Sequence, residues 1–396
     1  MRCFIRFCLT VGLLLGAAAP STSAQIPSLK KIKDAAKKVT KPADSAKAKT
    51  DTTRAATDTV APVTQGQPAP KQTPKVWENY DFVPGSKVLF YTDFSEDKVG
   101  NFARGLKYKS GPLEVVERDG VKVLRSTGRS EFLIPVGRRL PERFTLEIDI
   151  IVQDPLTSDP LSFEGGPTLD RGDKSAAINW QPNRSYIIGS GQNGGNSVVN
   201  VPEAVASSLI GEVAHLRVLM DSAYFKMYLN ERRLYNIPEL AFRRDSVIRV
   251  FLIGTEETDK ALYLTGVRVA ESETDVLYDA LASKGRWSTQ GILFATGKAD
   301  LQPESRPVLK EIAGTMKQHA DLKILIEGHT DNVGTPASNL ALSDARAAAV
   351  KAALVADFAV DAARITTKGL GDTKPAAPNT TATGRAQNRR VEVVKQ

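Results

Sequence analysis

The chain has 396 residues, 41% of them apolar and 25% charged, with a formal net charge of +8, a length that predicts two or three domains. The positive excess is confined to Arg2, Arg6 and residues 25–75, where eleven Lys or Arg face four Asp. The remainder is close to neutral, which excludes a general attraction of the folded part to nucleic acid.

Residues 1–24, MRCFIRFCLTVGLLLGAAAPSTSA, read as a secretory signal: two arginines, an apolar run too short to span with stop-transfer flanks, then small residues before a cut after Ala24. Both cysteines, Cys3 and Cys8, lie inside it. The expectation is a soluble exported protein without disulfides, and not a lipoprotein, since neither cysteine follows the small residue that lipid attachment requires. Residues 25–75 are rich in Lys, Ala, Thr and Pro, with no aromatic residue, and predict a disordered basic linker. A solvated spacer is the expected role, ahead of adhesion to anionic membrane or wall polymer. Residues 26–39 could form a short helix.

From 76 to 272 the pattern has period two. VLFYTDF, LEVVE, VKVLRS, FLIPV, FTLEIDIIV, AAINW, SYIIG, HLRVLM, FKMYLN, RLYNI, VIRVFLIG and LYLTGVRV read as strands. In FTLEIDIIV, Phe144, Leu146, Ile148 and Ile150 face one way, with Thr145, Glu147 and Asp149 opposite. FKMYLN and RLYNI form a hairpin through Glu231 and Arg232. A dozen strands without intervening helices predict an all-β sandwich.

Residues 273–285 read as a linker, and 286–396 as an α/β domain. A strand at 292–294 leads through Pro303 into a helix ending near His319. The strand LKILIEGHT then precedes an alanine-rich helix. RITTKGLG is a further strand, a helical turn covers 384–388, and RRVEVVK is the last strand.

The alanine-rich helix carries one arginine on its apolar stripe. Asn339, Leu342, Ser343, Arg346, Ala347, Val350 and Leu354 fall on one face of a 3.6-residue period. A guanidinium stays charged in proteins, so on a buried face it needs an anion. Asp331, just past the preceding strand, could pair with Arg346. Alternatively the two could divide a zwitterion, the carboxylate taking an ammonium and the guanidinium a carboxylate.

GILFATGKADLQPES, IEGHTDNVG, the spaced residues from Asn339 to Val350, RITTKGLGDTKPAAPN and GRAQNRRVEV together resemble the OmpA-like C-terminal domain, a peptidoglycan-binding module, over residues 284–396. The resemblance implies a zwitterionic ligand, the diaminopimelate of the cell-wall stem peptide. By position, Asp331 would bind its ammonium and Arg346 its carboxylate, with Asn339 and Arg389 adding hydrogen bonds and Arg390 facing away. Ala295 stands where many relatives carry an acid. The segment from Lys87 to Ala270 resembles, more loosely, the jelly rolls of concanavalin-A and laminin-G type, carried by VLFYTDFSED, ERDGVKVL and LPERFTLEIDI. That likeness implies carbohydrate binding, with calcium as an occasional cofactor.

The expected function is non-enzymatic anchoring to peptidoglycan at the periplasm or outer membrane of a diderm bacterium. It would link the wall to the outer membrane, or to a glycan or envelope protein held by the sandwich. An outer-membrane barrel is an alternative, opposed by 7% aromatics and strands too short to span. A glycan-acting enzyme is another. One branch of the jelly-roll fold uses E-x-D-x-x-E; here Glu147 and Asp149 are followed by Val152, and the acidic pair is expected on a solvated face. His215, His319 and His329 are too scattered for a zinc cluster or a histidine triad, and His329 is expected to be hydrogen-bonded at its strand end. GSGQNGGN reads as a flexible rim, RGD at 171–173 as chance, and Asp170 with Asp173 as a turn ahead of a calcium site. No cofactor is expected.

Overall fold

The computed structural model describes residues 80–154, 159–168, 176–188, 197–255, 257, 260–272 and 277–396. The signal, the basic linker, Asp170, the RGD tripeptide and the glycine-rich rim fall outside them.

The period-two region folds as strands β1 (Lys87–Thr92), β2 (Lys107–Ser110), β3 (Leu113–Arg118), β4 (Val121–Ser126), β5 (Arg129–Pro135), β6 (Arg143–Val152), β7 (Leu161–Gly165), β8 (Ala177–Gln181), β9 (Arg184–Ile188), β10 (Ser197–Asn200), β11 (Val213–Asp221), β12 (Tyr224–Leu229), β13 (Arg232–Ile237), β14 (Val247–Ile253) and β15 (Leu262–Glu271). One sheet runs β13-β12-β11-β6-β15-β4-β3, with β1 also on β15; the other runs β10-β9-β8-β7-β14-β5-β2. Neighbours pair antiparallel, including the β12–β13 hairpin. Inward residues of both sheets, among them Phe132, Phe163, Trp180 and Phe225, form one core. Each such side chain contributes about 1.5–3 kcal/mol on burial. The expectation of strands alone is corrected by a short helix, α1 (Glu203–Ser208), between β10 and β11.

The C-terminal part comprises α2 (Leu277–Ser283), β16 (Arg286–Thr289), α3 (Arg306–Gln318), β17 (Ile324–His329), α4 (Pro336–Phe358), β18 (Ile365–Gly371), α5 (Ala382–Asn388) and β19 (Val391–Lys395). Its sheet runs β16-β19-β17-β18, with β17 and β18 parallel and joined through α4. Two expectations change here. The 273–285 linker carries α2, whose Leu277, Ala280 and Leu281 share one helical stripe and enter the C-terminal core. The strand expected at 292–294 is only a bridge between Phe294 and Leu301; the regular strand lies earlier, at β16.

Helix α4 starts at a capping box between Thr335 and Ser338, with Pro336 in its first turn. Its buried residues are Asn339, Ser343, Ala347, Val350 and Leu354, members of the expected stripe. Gly328 on β17 lets the helix sit close, because a Cβ there would lie 2.3 Å from the Ser343 carbonyl oxygen.

The sandwich and the C-terminal part touch along a seam between β1 and α5. The Gln387 side chain accepts a hydrogen bond from the Val88 N–H and donates one to the Ser86 carbonyl, each at 2.6 Å. Arg385 pairs with Glu96. Gly85 donates its N–H to Thr145 Oγ1 at 3.0 Å, and its carbonyl accepts from Arg268 at 2.6 Å. Glu147 and Asp149 on the polar face of β6 line a cavity together with residues of the C-terminal part, which corrects their expected solvation.

Candidate functional site

Asp331, Asn339, Arg346 and Arg389 come from the loop after β17, from α4 and from the end of α5. Asp331 is buried, and the α4 stripe brings Asn339 to it, where the Asn339 amide donates to the Asp331 carbonyl at 3.2 Å. Asn339 thus braces the loop backbone. The two Asp331 carboxylate oxygens are already engaged: Oδ1 accepts from the Val333 N–H at 3.1 Å and Oδ2 from Arg389 Nη1 at 2.7 Å.

Arg346 does not pair with Asp331. Its Nε donates to the Lys298 carbonyl at 3.0 Å, and its guanidinium lies 4.9 Å from the centre of the Phe294 ring. Among the described residues, no carboxylate forms an ion pair with it within 4.0 Å. Burial pushes its pKa down and the nearby Arg389 pushes the same way, against the pull of Asp331. It stays charged, because no such shift approaches neutral pH for a guanidinium.

Arg389 is the hub. Beyond its bond to Asp331, its guanidinium sits 5.0 Å from the centre of the Tyr91 ring, which the sandwich supplies. Burial pushes the Arg389 pKa down, and Tyr91, Asp331 and Asp93 together reverse that and raise it. Arg390, expected to face away, borders the same cavity as Arg346 and Arg389, and its buried guanidinium is held by Glu392 at 2.7 Å.

The expected hydrogen bond at His329 is absent. The residue is 2% exposed and neither ring nitrogen has a hydrogen-bond partner, Glu392 lying 3.9 Å from Nε2. Burial first, and Arg390 next, push its pKa down to about 4. Glu327, His329 and Glu392 bring three ligand-type atoms within 4.8 Å of one another. Glu392, however, is already balanced by Arg286 at 2.8 Å and by Arg390, and two guanidiniums oppose a third cation.

Arg346 and Arg389 both border a cavity of about 400 Å³ between the C-terminal part and the outer face of β6, β11 and β15, a size within the usual ~300–1,000 Å³ of small-molecule sites. Asp331 and Asn339 do not line it. The sandwich wall carries Glu147 and Asp149, both held by arginines. Arg217 donates to Asp149 at 2.6 Å and lies 3.7 Å from Glu147, and Arg268 pairs with Glu147. His215 sits 2.8 Å from Asp149. Burial pushes the Asp149 carboxyl up, but Arg217 and His215 outweigh it and hold it at about 2. Two carboxylates so held are poor candidates for an acid and a nucleophile.

Residues 293–389 match the family model described as the OmpA family. The C-terminal part is an OmpA-like domain. Over 101 residues it is 43% identical to outer membrane porin F of Pseudomonas aeruginosa, covering 26% of this chain and 29% of that protein. A probable lipoprotein, YiaD of Escherichia coli, is 36% identical over 129 residues, or 33% of this chain and 55% of that one. The chain thus spans between about a third and a half of these relatives. Among solved structures, the peptidoglycan-associated lipoprotein of Burkholderia pseudomallei is 35% identical with a TM-score of 0.27, covering 31% of this chain and 100% of that one. The family match lies within the C-terminal region, and the jelly-roll resemblance of the sandwich gains nothing from it.

Of the four residues singled out in the sequence, Arg346 and Arg389 border the cavity and Asp331 and Asn339 do not; Tyr91, Asp93 and Gln290, which also line it, were not singled out. Asp93 follows an apolar strand directly, in VLFYTDF; that was the available signal. Nothing local marks Gln290.

Proposed function

We propose that this chain is a non-enzymatic envelope protein whose OmpA-like domain holds peptidoglycan without a covalent bond, through the zwitterionic end of a diaminopimelate side chain. One observation carries the reading: Arg346 is a partly buried guanidinium bordering a cavity with no carboxylate of its own in ion-pair reach. Such a charge is stabilised by an incoming carboxylate, held in a fork. Asp331 and Arg389 stand beside it as an ion pair, and a guest ammonium can share the Asp331 charge. The family match and the identity to outer-membrane relatives support an exported, wall-facing location.

The sandwich rides on this anchor and presents its free surfaces to a glycan or an envelope protein. Its strands form two sheets around an apolar interior, an arrangement that favours a sandwich over a membrane barrel.

The test is co-sedimentation of the exported chain with purified sacculi. The parent is expected in the pellet, and the double variant Asp331→Ala/Arg346→Ala in the supernatant with its fold intact by circular dichroism. Equal pelleting of the two would overturn the assignment.

A further inference from the structure

Arg346 and Arg389 border one cavity, and a residue of the sandwich holds one of them. Arg346 donates from Nε to the Lys298 carbonyl, and among the described residues neither of its Nη atoms has an acceptor. Arg389 donates from Nη1 to Asp331, which leaves its Nε and Nη2 without a described acceptor. Some 36% of its side chain stays accessible, so it can still receive a guest. The two lie close enough for Arg389 to disfavour the charge on Arg346. Two like charges facing one cavity are stabilised together by an anion placed between them.

The position of Arg389 is set in part from outside the OmpA-like domain. Arg389 follows α5 directly, and Gln387 ties α5 to β1 through the Val88 N–H and the Ser86 carbonyl. Further along β1, the centre of the Tyr91 ring lies 5.0 Å from the Arg389 guanidinium. Tyr91 is itself fixed. Its hydroxyl donates to Asp93 Oδ2 at 3.2 Å, and Asp93 Oδ1 accepts from the Ser95 N–H and hydroxyl at 3.1 and 2.6 Å. Its backbone is paired with Arg268 of β15. A ring face at that distance attracts a guanidinium, most strongly where water is excluded. Arg389 is therefore gripped on two sides, by the Asp331 carboxylate and by an aromatic plane from the sandwich. Arg346 rests instead on Phe294 of its own domain. Among the described residues, Tyr91 is the one sandwich side chain with a ring contact to either guanidinium.

We infer that Tyr91 of the sandwich is a positioning residue for the wall-binding site: it holds Arg389 beside Asp331, so that Arg389 and Arg346 close together on the guest's carboxylate. This rests on the peptidoglycan reading above and leaves Asp331 as the partner of the guest's ammonium. Holding Arg389 in place before the guest arrives removes an ordering cost that binding would otherwise meet. Docking of the sandwich and binding of the wall are thereby coupled. The coupling is reciprocal, so that whatever tightens one tightens the other. The sandwich is in this way part of the anchor.

The experiment titrates the mature full-length chain with a stem tripeptide ending in meso-diaminopimelate, by calorimetry. Tyr91→Ala is expected to weaken binding about three- to tenfold, and Tyr91→Phe, which keeps the ring, by less than about twofold. In an Arg389→Ala background, Tyr91→Ala should weaken binding no further, because the ring acts through that guanidinium. An equal loss in both backgrounds would show that Tyr91 supports the fold alone, and overturns the inference. Unchanged binding by Tyr91→Ala, where Arg346→Ala abolishes it, also overturns the inference while the wall-binding reading stands. If the parent fails to bind, or Arg346→Ala leaves binding unaltered, both ideas fall. Should Tyr91→Ala not fold, or Arg389→Ala bind too weakly to measure, hydrogen exchange of the parent decides. Bound tripeptide must slow exchange at Val88, on the sandwich side of the seam; protection confined to the OmpA-like domain overturns the coupling.

Discussion

Replacing His329 by Phe tests how the floor of the site is wired. The ring has no hydrogen-bond partner, and burial together with Arg390, Arg286 and Lys374 outweighs Glu392 to bring its pKa from 6.5 to about 4. A folded value below the unfolded one means the unfolded chain takes up the proton first as the pH falls. Stability tied to the neutral ring is therefore complete above about pH 6.5 and is lost progressively towards about pH 4. At about 1.4 kcal/mol per pH unit, the loss is capped at roughly 3 kcal/mol. Phenylalanine keeps an aromatic ring and cannot titrate. Urea melts of parent and variant from about pH 7.5 to about pH 4.5 give the difference directly, with other titrating groups cancelling between them. The parent should lose roughly 2–3 kcal/mol more than the variant over that range. A difference that stays constant with pH would show that the ring is solvated or bonded, and would refute the account of its environment.

Two further outcomes follow from the packing. Gly328→Ala should cost about 2–3 kcal/mol in thermal unfolding, because its new methyl meets the Ser343 carbonyl and pushes α4 from β17; an unchanged melting temperature would mean the helix is free to shift. Gln387→Ala removes two bonds across the seam and should lower its stability by about 1–2 kcal/mol. It would be read as faster hydrogen exchange at Val88, and unaltered exchange there would show that the seam does not depend on this side chain.

What could be read along the chain was whatever local periodicity and side-chain type enforce. Alternation in FTLEIDIIV dictates that Phe144, Leu146, Ile148 and Ile150 go inside, because a strand has period two whatever it packs on. The stripe from Asn339 to Leu354 fixes which side of α4 is buried, and a guanidinium on its edge demands an anion for the same reason anywhere. The motif set around IEGHTDNVG marks the OmpA-like domain in the sequence itself.

The tertiary structure alone decided the partners. Asp331 and Arg389 are 58 residues apart, and no periodicity says that they meet while Arg346 is left without a carboxylate. Glu147 and Asp149 alternate outward just as a solvated face would; only docking, through contacts such as Gln387 to Val88 across 299 residues, shows that their outside is the wall of a cavity. Helix α2 hid in a stretch too short for its stripe to stand out, and became visible because Leu277 and Leu281 found a core to enter. A sequence specifies which groups need a complement; which complement each one receives is settled by the energy of the whole packed chain.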